Sequence, residues 1–180
     1  MGQSHANPGI PGPYEALADG LRRLNHAPAA AAEAALLACC ASRRWALRLT
    51  AHRPYPDLDA LLAAADEASY DLSPGDLAEA LADERSPGLH PSAPQSAHTA
   101  LRAAHAAYES RFKYAFVICL EGLRPTEHLN QMLAGIRVRM TNEREEESVI
   151  AAEELRRLAR ARLAHLVTNH PETDSAVATR

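Results

Sequence analysis

Aromatic residues are scarce in this sequence. Only 4% of its 180 residues are Phe, Trp or Tyr, and there is a single Trp. Ala and Leu instead supply most of a hydrophobic fraction of 47%. Small and unbranched side chains favour helices, whereas sheets favour aromatic and β-branched residues. The composition therefore argues against an all-β fold, and its apolar content argues against wholesale disorder.

Cysteine and long apolar runs are also scarce. The three cysteines, Cys39, Cys40 and Cys119, are odd in number and lack the CxxC spacing of a zinc site. Neither a disulfide framework nor structural zinc is therefore predicted. No apolar run approaches the roughly 20 residues of a membrane span, and the first residues lack the basic and apolar regions of a secretory signal. We therefore expect a cytoplasmic protein that contacts no membrane.

An excess of positive charge is absent as well. The chain has 19 Lys and Arg residues against 23 Asp and Glu residues, which gives a net charge of −4. Binding to nucleic acid or to anionic membranes relies on clustered positive charge. We therefore predict no nucleic-acid partner.

The hydrophobic pattern is helical over most of the chain. Residues 1–13, rich in Gly and Pro, predict a flexible leader, and residues 170–180 predict a flexible tail. Between them, residues 14–169 carry apolar side chains at intervals of three and four, interrupted by the Pro-rich segment 84–95. This pattern predicts one all-α domain, a compact bundle of about seven to nine helices.

Local signals predict where several helices begin and where one segment is not helical. Ser42, Asp57, Ser73 and Thr126 stand at positions typical of N-caps. Residues 114–120 have strand-like propensity, but a lone strand has no partner, so we expect a buried turn or an extended connector there.

Four groups of segments, in this order, carry a family resemblance. They are Cys40-Ala-Ser-Arg-Arg-Trp45 with Arg53-Pro54-Tyr55; 58–66 with Leu72-Ser-Pro-Gly-Asp76 and Glu79-Ala-Leu-Ala82; Ala107-Tyr108-Glu109-x-x-Phe112 with Phe116-Val-Ile-Cys119 and Gly122; and Ile136-x-x-Arg139-Met140-x-Asn142 with Glu147 and the helix 153–163. Together the segments resemble the family of 2-oxo-4-hydroxy-4-carboxy-5-ureidoimidazoline (OHCU) decarboxylase, the last enzyme of urate breakdown to allantoin. The resemblance covers most of residues 24–167 and rests on the order and spacing of the motifs rather than on any one of them.

The resemblance implies an all-α bundle, usually a homodimer, that acts on a small molecule without a metal or organic cofactor. In OHCU the carbon that loses CO₂ lies beside a C=N group, which can accept the electron pair. The enzyme must orient the carboxylate, stabilise developing charge and deliver a proton to one face. The family uses a His-Pro motif at a helix end and a Glu in a Ser-x-x-Glu-Gln motif for this work.

The sequence departs from the family where that His and Glu belong. Asp83-Glu84 stands in place of His-Pro, and the segment before Tyr108 is shorter by roughly nineteen residues. A His-Pro pair follows later, at His90-Pro91, and Ser92-Ala-Pro-Gln95 lacks the family's Glu. The resemblance implies that His90 and Glu84 are the catalytic residues. It implies that the substrate-binding residues are Pro91, Gln95, Phe116, Ile118 and Arg139.

Three functions stay open at this point. The decarboxylase activity could survive on a rewired loop, the protein could act on another small ureido or carboxylate metabolite, or the domain could bind a ligand without turnover. A fold alone does not choose among them.

Each candidate residue also has a purely structural alternative. His90 could form a turn, Glu84 could be a charge at a helix end, and Gln95 could cap the next helix. Arg139 could join surface ion pairs with neighbouring glutamates. Asn142 fits a helix C-cap, the interpretation that we favour from sequence alone.

A metal site is not predicted, and the largest aromatic residues are expected in the core. His98 and His105 lie seven residues apart on one helix face, about 10.5 Å, which is too far for both to bind one ion.

Trp45 and Phe112 fit core positions, and the cysteines are expected to be small buried apolar residues.

Overall fold

The computed structural model describes residues 13–168, so most of the predicted leader and the predicted tail lie outside the described residues. Within 13–168 there are eight α-helices and no strand, which confirms the all-α prediction. The helices are α1 Pro13–His26, α2 Ala29–Leu37, α3 Arg43–Ala51, α4 Leu58–Tyr70, α5 Pro74–Asp83, α6 Gln95–Phe112, α7 Pro125–Arg139 and α8 Arg144–Thr168.

Three of the four predicted helix starts are confirmed by hydrogen bonds. The Ser42 and Asp57 side chains each accept a hydrogen bond from a backbone N–H in the first turn, at 3.4 and 2.8 Å. Ser73 and Asp76 form a reciprocal capping box, in which each side chain accepts from the other residue's N–H. These side chains satisfy N–H groups that have no partner within the helix.

The predicted start at Thr126 is wrong. The N-cap position of α7 lies two residues earlier, at Arg124, and the helix begins at Pro125. The Glu127 carboxylate accepts the Arg124 N–H at 2.9 Å. Proline suits this first helical position because its φ is already helical and its missing N–H would have no partner there.

The helices enclose two apolar clusters. The larger is formed by α1 to α5 and α8, with Trp45 fully buried at its centre. The Trp45 indole donates to the Ala65 carbonyl and to the Ser69 hydroxyl, both at 3.1 Å. The smaller cluster lies between α6 and α7 and contains Phe112, so both predicted core aromatics are buried.

Residues 113–124 connect α6 to α7 as irregular backbone, in agreement with the expected connector. The Val117 carbonyl accepts from Arg139 of α7 at 2.7 Å, and the Cys119 N–H donates to Glu154 of α8 at 2.8 Å. Side chains from two helices therefore hold the connector in place.

The first and last helices pack closely at Gly20. A Cβ atom added to this residue would overlap the backbone of Val167 in α8. Gly20 thus allows α1 and α8 to approach backbone to backbone.

We predict that Gly20→Ala lowers the free energy of unfolding by about 1–3 kcal/mol, because the new methyl group forces α1 away from α8. Chemical denaturation measures the change. Gly75→Ala is the matched control, because an added Cβ there meets only Ser73 Oγ at 3.8 Å. Equal stability of the two variants would contradict this account of Gly20.

Candidate functional site

Glu84 ends α5 and is bound to a cation of α8. Its two carboxylate oxygens accept from Arg162 at 2.6 and 2.9 Å, and its side chain is only 8% exposed. Arg162 also donates to the Cys39 carbonyl at 3.2 Å. The negative charge, unfavourable at a helix C-terminus, is therefore compensated by a bidentate ion pair.

His90 lies in the loop after α5 and is exposed. Its Nδ1 accepts from the Ser92 N–H at 3.3 Å and lies 2.7 Å from the Ser92 hydroxyl. The ring thus stabilises a turn, which is the structural alternative expected for it. Pro91 and Gln95 are also exposed, and Gln95 is the first residue of α6.

The structure therefore gives the two predicted catalytic residues different partners. Within residues 13–168, His90 bonds to Ser92 and Glu84 bonds to Arg162, and no hydrogen bond or ion pair joins the two side chains. The His90 side chain is exposed to solvent, whereas Glu84 lies at the border of a cleft.

Arg139 is buried in an ion pair with Glu147, whose side chain is fully inaccessible. Arg139 donates to the Glu147 carboxylate at 2.8 Å, to the Tyr108 hydroxyl at 3.1 Å and to the Val117 carbonyl at 2.7 Å. Asn142 donates to the second Glu147 oxygen at 2.8 Å, and the Tyr108 hydroxyl donates to the first. We call these five residues the Arg139 network.

The Arg139 network corrects two structural alternatives drawn from sequence. The partner of Arg139 is the buried Glu147 rather than a surface glutamate, and the Asn142 side chain satisfies Glu147 rather than capping α7. Both corrections have one cause: a buried carboxylate must be paired and hydrogen-bonded, so it recruits the donors around it. Burial, together with the hydrogen bond to Glu147, raises the pKa of Tyr108, so its hydroxyl stays protonated and donates.

The other two predicted binding side chains also lie in the interior. Phe116 is fully buried and Ile118 is 8% exposed. The Phe116 ring contacts the rings of Tyr108 and His105, with centroids 5.0 and 5.9 Å away, and the Arg139 guanidinium lies 4.6 Å from its centroid. The structure thus brings Phe116 and Arg139 together, and their contact lies in the interior of the protein, at the smaller apolar cluster.

A cleft of about 710 Å³ lies beside this cluster, between the loop after α5 and the last turns of α6. Ser86 connects the two sides: its hydroxyl accepts from the Phe116 N–H at 2.9 Å and donates to the Glu109 carboxylate at 2.7 Å. The cleft is lined by Glu84, Arg85, Ser86, Arg102, His105, Ala106, Glu109, Lys113, Tyr114 and Ala115. Its size is that of an ordinary small-molecule site.

Two residues of this cleft carry polar atoms that are buried without a hydrogen bond of ordinary geometry, His105 Nε2 and the Tyr114 hydroxyl, of which the second faces the Tyr108 hydroxyl. Burial lowers the pKa of His105, although the nearby Glu109 opposes the effect. Burial raises the pKa of Tyr114. Both residues are therefore neutral near pH 7.

The sequence of the OHCU decarboxylase family matches this chain over residues 25–84 and 82–164. The chain belongs to the OHCU decarboxylase family. Its solved relatives include an OHCU decarboxylase determined in the presence of (S)-allantoin, at 23% identity over 74% of this chain and 96% of that one, with a TM-score of 0.63. No curated protein matches the chain significantly.

An (S)-allantoin synthase is also similar, at 19% identity over 82% of this chain, with a TM-score of 0.62. The chain spans only 54% of that structure's length. At these identities the likeness to both structures establishes the fold, and the family membership rests on the sequence match.

The family match consists of two segments that meet at residues 82–84. The same place is where the sequence comparison predicts that Asp83-Glu84 replaces the family's His-Pro and that the chain is shorter. The cleft opens at the same junction, because Glu84, Arg85 and Ser86 form one of its sides.

Sequence reasoning missed Ser86, His105 and Glu109 as residues of a site. A signal existed for two of them, since a His and a Glu four residues apart share a helix face. Ser86 carried no such signal in the sequence, because its role depends on the connector between α6 and α7 lying beside the loop after α5. Among residues 13–168, no group of His, Cys, Asp or Glu could hold a metal ion, and no helix is long and apolar enough to cross a membrane.

We predict that Arg139→Met destabilises the protein by about 3–5 kcal/mol, because it leaves the buried Glu147 charge without its cation. The double variant Arg139→Met with Glu147→Leu removes both charges and should recover part of the loss. Urea denaturation measures both. Arg124→Met, which removes the exposed partner of Glu127, is the control expected to change little. A single variant as stable as this control would refute the role assigned to the Arg139 network.

We predict that His105 makes the protein less stable in acid. Its pKa is lower in the folded than in the unfolded chain, so the unfolded chain takes up a proton first as the pH falls below about 6.5. Between pH 7.5 and pH 5, the free energy of unfolding should therefore fall more in the wild type than in His105→Gln. His128→Gln, at a position outside the cleft, is the control and should keep the wild-type pH dependence. Parallel pH profiles for wild type and His105→Gln would disprove this.

Proposed function

We propose that this protein decarboxylates OHCU to (S)-allantoin in urate catabolism, without a cofactor. The observation that carries the proposal is the family match over residues 25–164, which includes every element around the cleft: the end of α5, helix α6 and the connector. Membership in a carboxy-lyase family and a cleft of metabolite size at the family's departure point both support it.

The reaction sets three chemical requirements. Electrons released with CO₂ move into the neighbouring C=N group, so the carboxylate must stand out of the ring plane, the developing charge needs stabilisation, and a proton must arrive on one face. The cleft offers cationic side chains, a neutral imidazole and the Ser86–Glu109 hydrogen bond. None of these steps requires a redox group.

The catalytic assignment remains part of the proposal. His90 delivers the proton and Glu84 binds ureido N–H groups from the cleft border. His90 must first leave Ser92, which costs little at an exposed position. The proposed substrate-binding residues are Pro91, Gln95, Phe116, Ile118 and Arg139.

A second candidate function is ligand binding without turnover. The specific observation in its favour is that Arg162 occupies both oxygens of Glu84 while His90 lies in solvent. A member of the family that lacked a catalytic pair would stabilise on adding allantoin but would not accelerate its formation.

The deciding experiment generates OHCU freshly from urate and follows the optical activity of the allantoin formed. We expect the wild type to yield optically active (S)-allantoin faster than the spontaneous reaction. His90→Ala should reduce the rate by about 100-fold or more, because it removes the proton donor. His98→Ala is the control imidazole and should retain activity.

Two outcomes count against parts of this proposal. Racemic allantoin at the spontaneous rate with wild-type protein would overturn the decarboxylase function and favour the binding domain. Loss of activity in His105→Ala together with full activity in His90→Ala would overturn the assignment of His90 and place the proton donor in the cleft.

A further inference from the structure

We propose that the cleft binds a small carboxylate through Arg85, Arg102 and Lys113, and that this carboxylate is the one borne by the substrate. The second half rests on the proposed function, whereas anion binding at the cleft stands by itself. None of the three cations belongs to the residues that the family resemblance implicated.

The charges of the cleft are unbalanced toward positive. Of its two acidic residues, Glu84 is paired with Arg162, whereas Glu109 accepts from the neutral Ser86 hydroxyl and keeps its charge. Within residues 13–168, the side chains of Arg85, Arg102 and Lys113 make no hydrogen bond or ion pair. A chain with a net charge of −4 thus gathers three cations against one unpaired carboxylate around one concave surface.

The backbone at Lys113 supports a role for its side chain. Lys113 ends α6 with a φ of 72°, in the left-handed region where helices usually place Gly or Asn. A lysine there carries a steric penalty that glycine would avoid. A cation at this helix end also interacts favourably with the helix dipole, so stability and ligand binding must be measured separately.

The unsatisfied polar atoms lie in residues of the same cleft. Buried polar groups are ordinarily hydrogen-bonded. Only three buried side-chain polar atoms of residues 13–168 lack a partner, and two of them, in His105 and Tyr114, belong to this cleft. Both atoms are shielded from solvent, so the anion is bound by the three exposed cations and not by His105 or Tyr114.

The chemistry of the cations favours a carboxylate on a small ring compound. Guanidinium groups bind carboxylates through two parallel hydrogen bonds, and lysine adds a point charge. A cleft volume of about 710 Å³ accommodates a metabolite. The same cations would attract inorganic phosphate, so the two anions must be compared directly.

Calorimetric titration of the full chain at low salt tests the inference with three probes: oxonate, a planar ring carboxylate; allantoin, its neutral ureido counterpart; and inorganic phosphate. We expect oxonate to bind more tightly than phosphate. Arg102→Gln and Lys113→Gly should each weaken oxonate binding at least tenfold, with little effect on allantoin. Arg137→Gln, an exposed arginine outside the cleft, is the control and should bind oxonate as the wild type does.

Thermal unfolding of the same variants separates binding from folding. Lys113→Gly loses the interaction of the lysine with the helix dipole. Otherwise it should be no less stable than the wild type, because glycine fits the left-handed position. Weakened binding with unchanged stability supports the site. Unchanged oxonate affinity in both cleft variants, or equal affinity for phosphate, overturns it.

The outcome is distinguishable from failure of the proposed function. Oxonate binding that depends on Arg102 and Lys113, without turnover of OHCU, supports the anion site and refutes the decarboxylase. Turnover whose KM is unchanged in both variants refutes the anion site and leaves the decarboxylase standing.

Discussion

The ion pair between Arg139 and Glu147 is the constraint on which the candidate site depends. Two opposite charges without access to water are stable only when their remaining hydrogen-bonding groups are satisfied. Tyr108 and Asn142 do this for the carboxylate, and the Val117 carbonyl does it for the guanidinium. Because Val117 belongs to the connector, the requirements of a buried charge set the path of irregular backbone between α6 and α7.

The path of the connector in turn defines the cleft. Phe116 precedes Val117, and its N–H is positioned to donate to Ser86 in the loop after α5. Ser86 also donates to Glu109, so one serine joins the loop, the connector and helix α6. The loop after α5, at the junction of the two family-matched segments, therefore lies against α6 around a concave surface.

Much of the fold could be predicted from the sequence because its signals are local. Ser42, Asp57 and Ser73 bind N–H groups within one helical turn, and the family resemblance located the break at residues 82–84. The site could be predicted only in part. His90 resembles the family motif but is engaged by a neighbour two residues away, and Glu84 is engaged by Arg162, 78 residues away along the chain. Motif similarity carries no information about such a competing partner.

The sequence by itself determined the helical class, three of the four predicted helix starts and the family, since each follows from residue types at short and regular spacing. Only the tertiary structure decided which charges meet. Glu147 and its surface neighbours Glu145 and Glu146 look alike in sequence, yet Glu147 alone of the three is fully buried. Burial depends on how α6, α7 and α8 pack, and it converts an ordinary acidic residue into the anchor of a network. Arg102, His105 and Lys113 share one face of α6 and its C-cap by helical periodicity, but they became one side of a cleft only when the loop after α5 folded beside them.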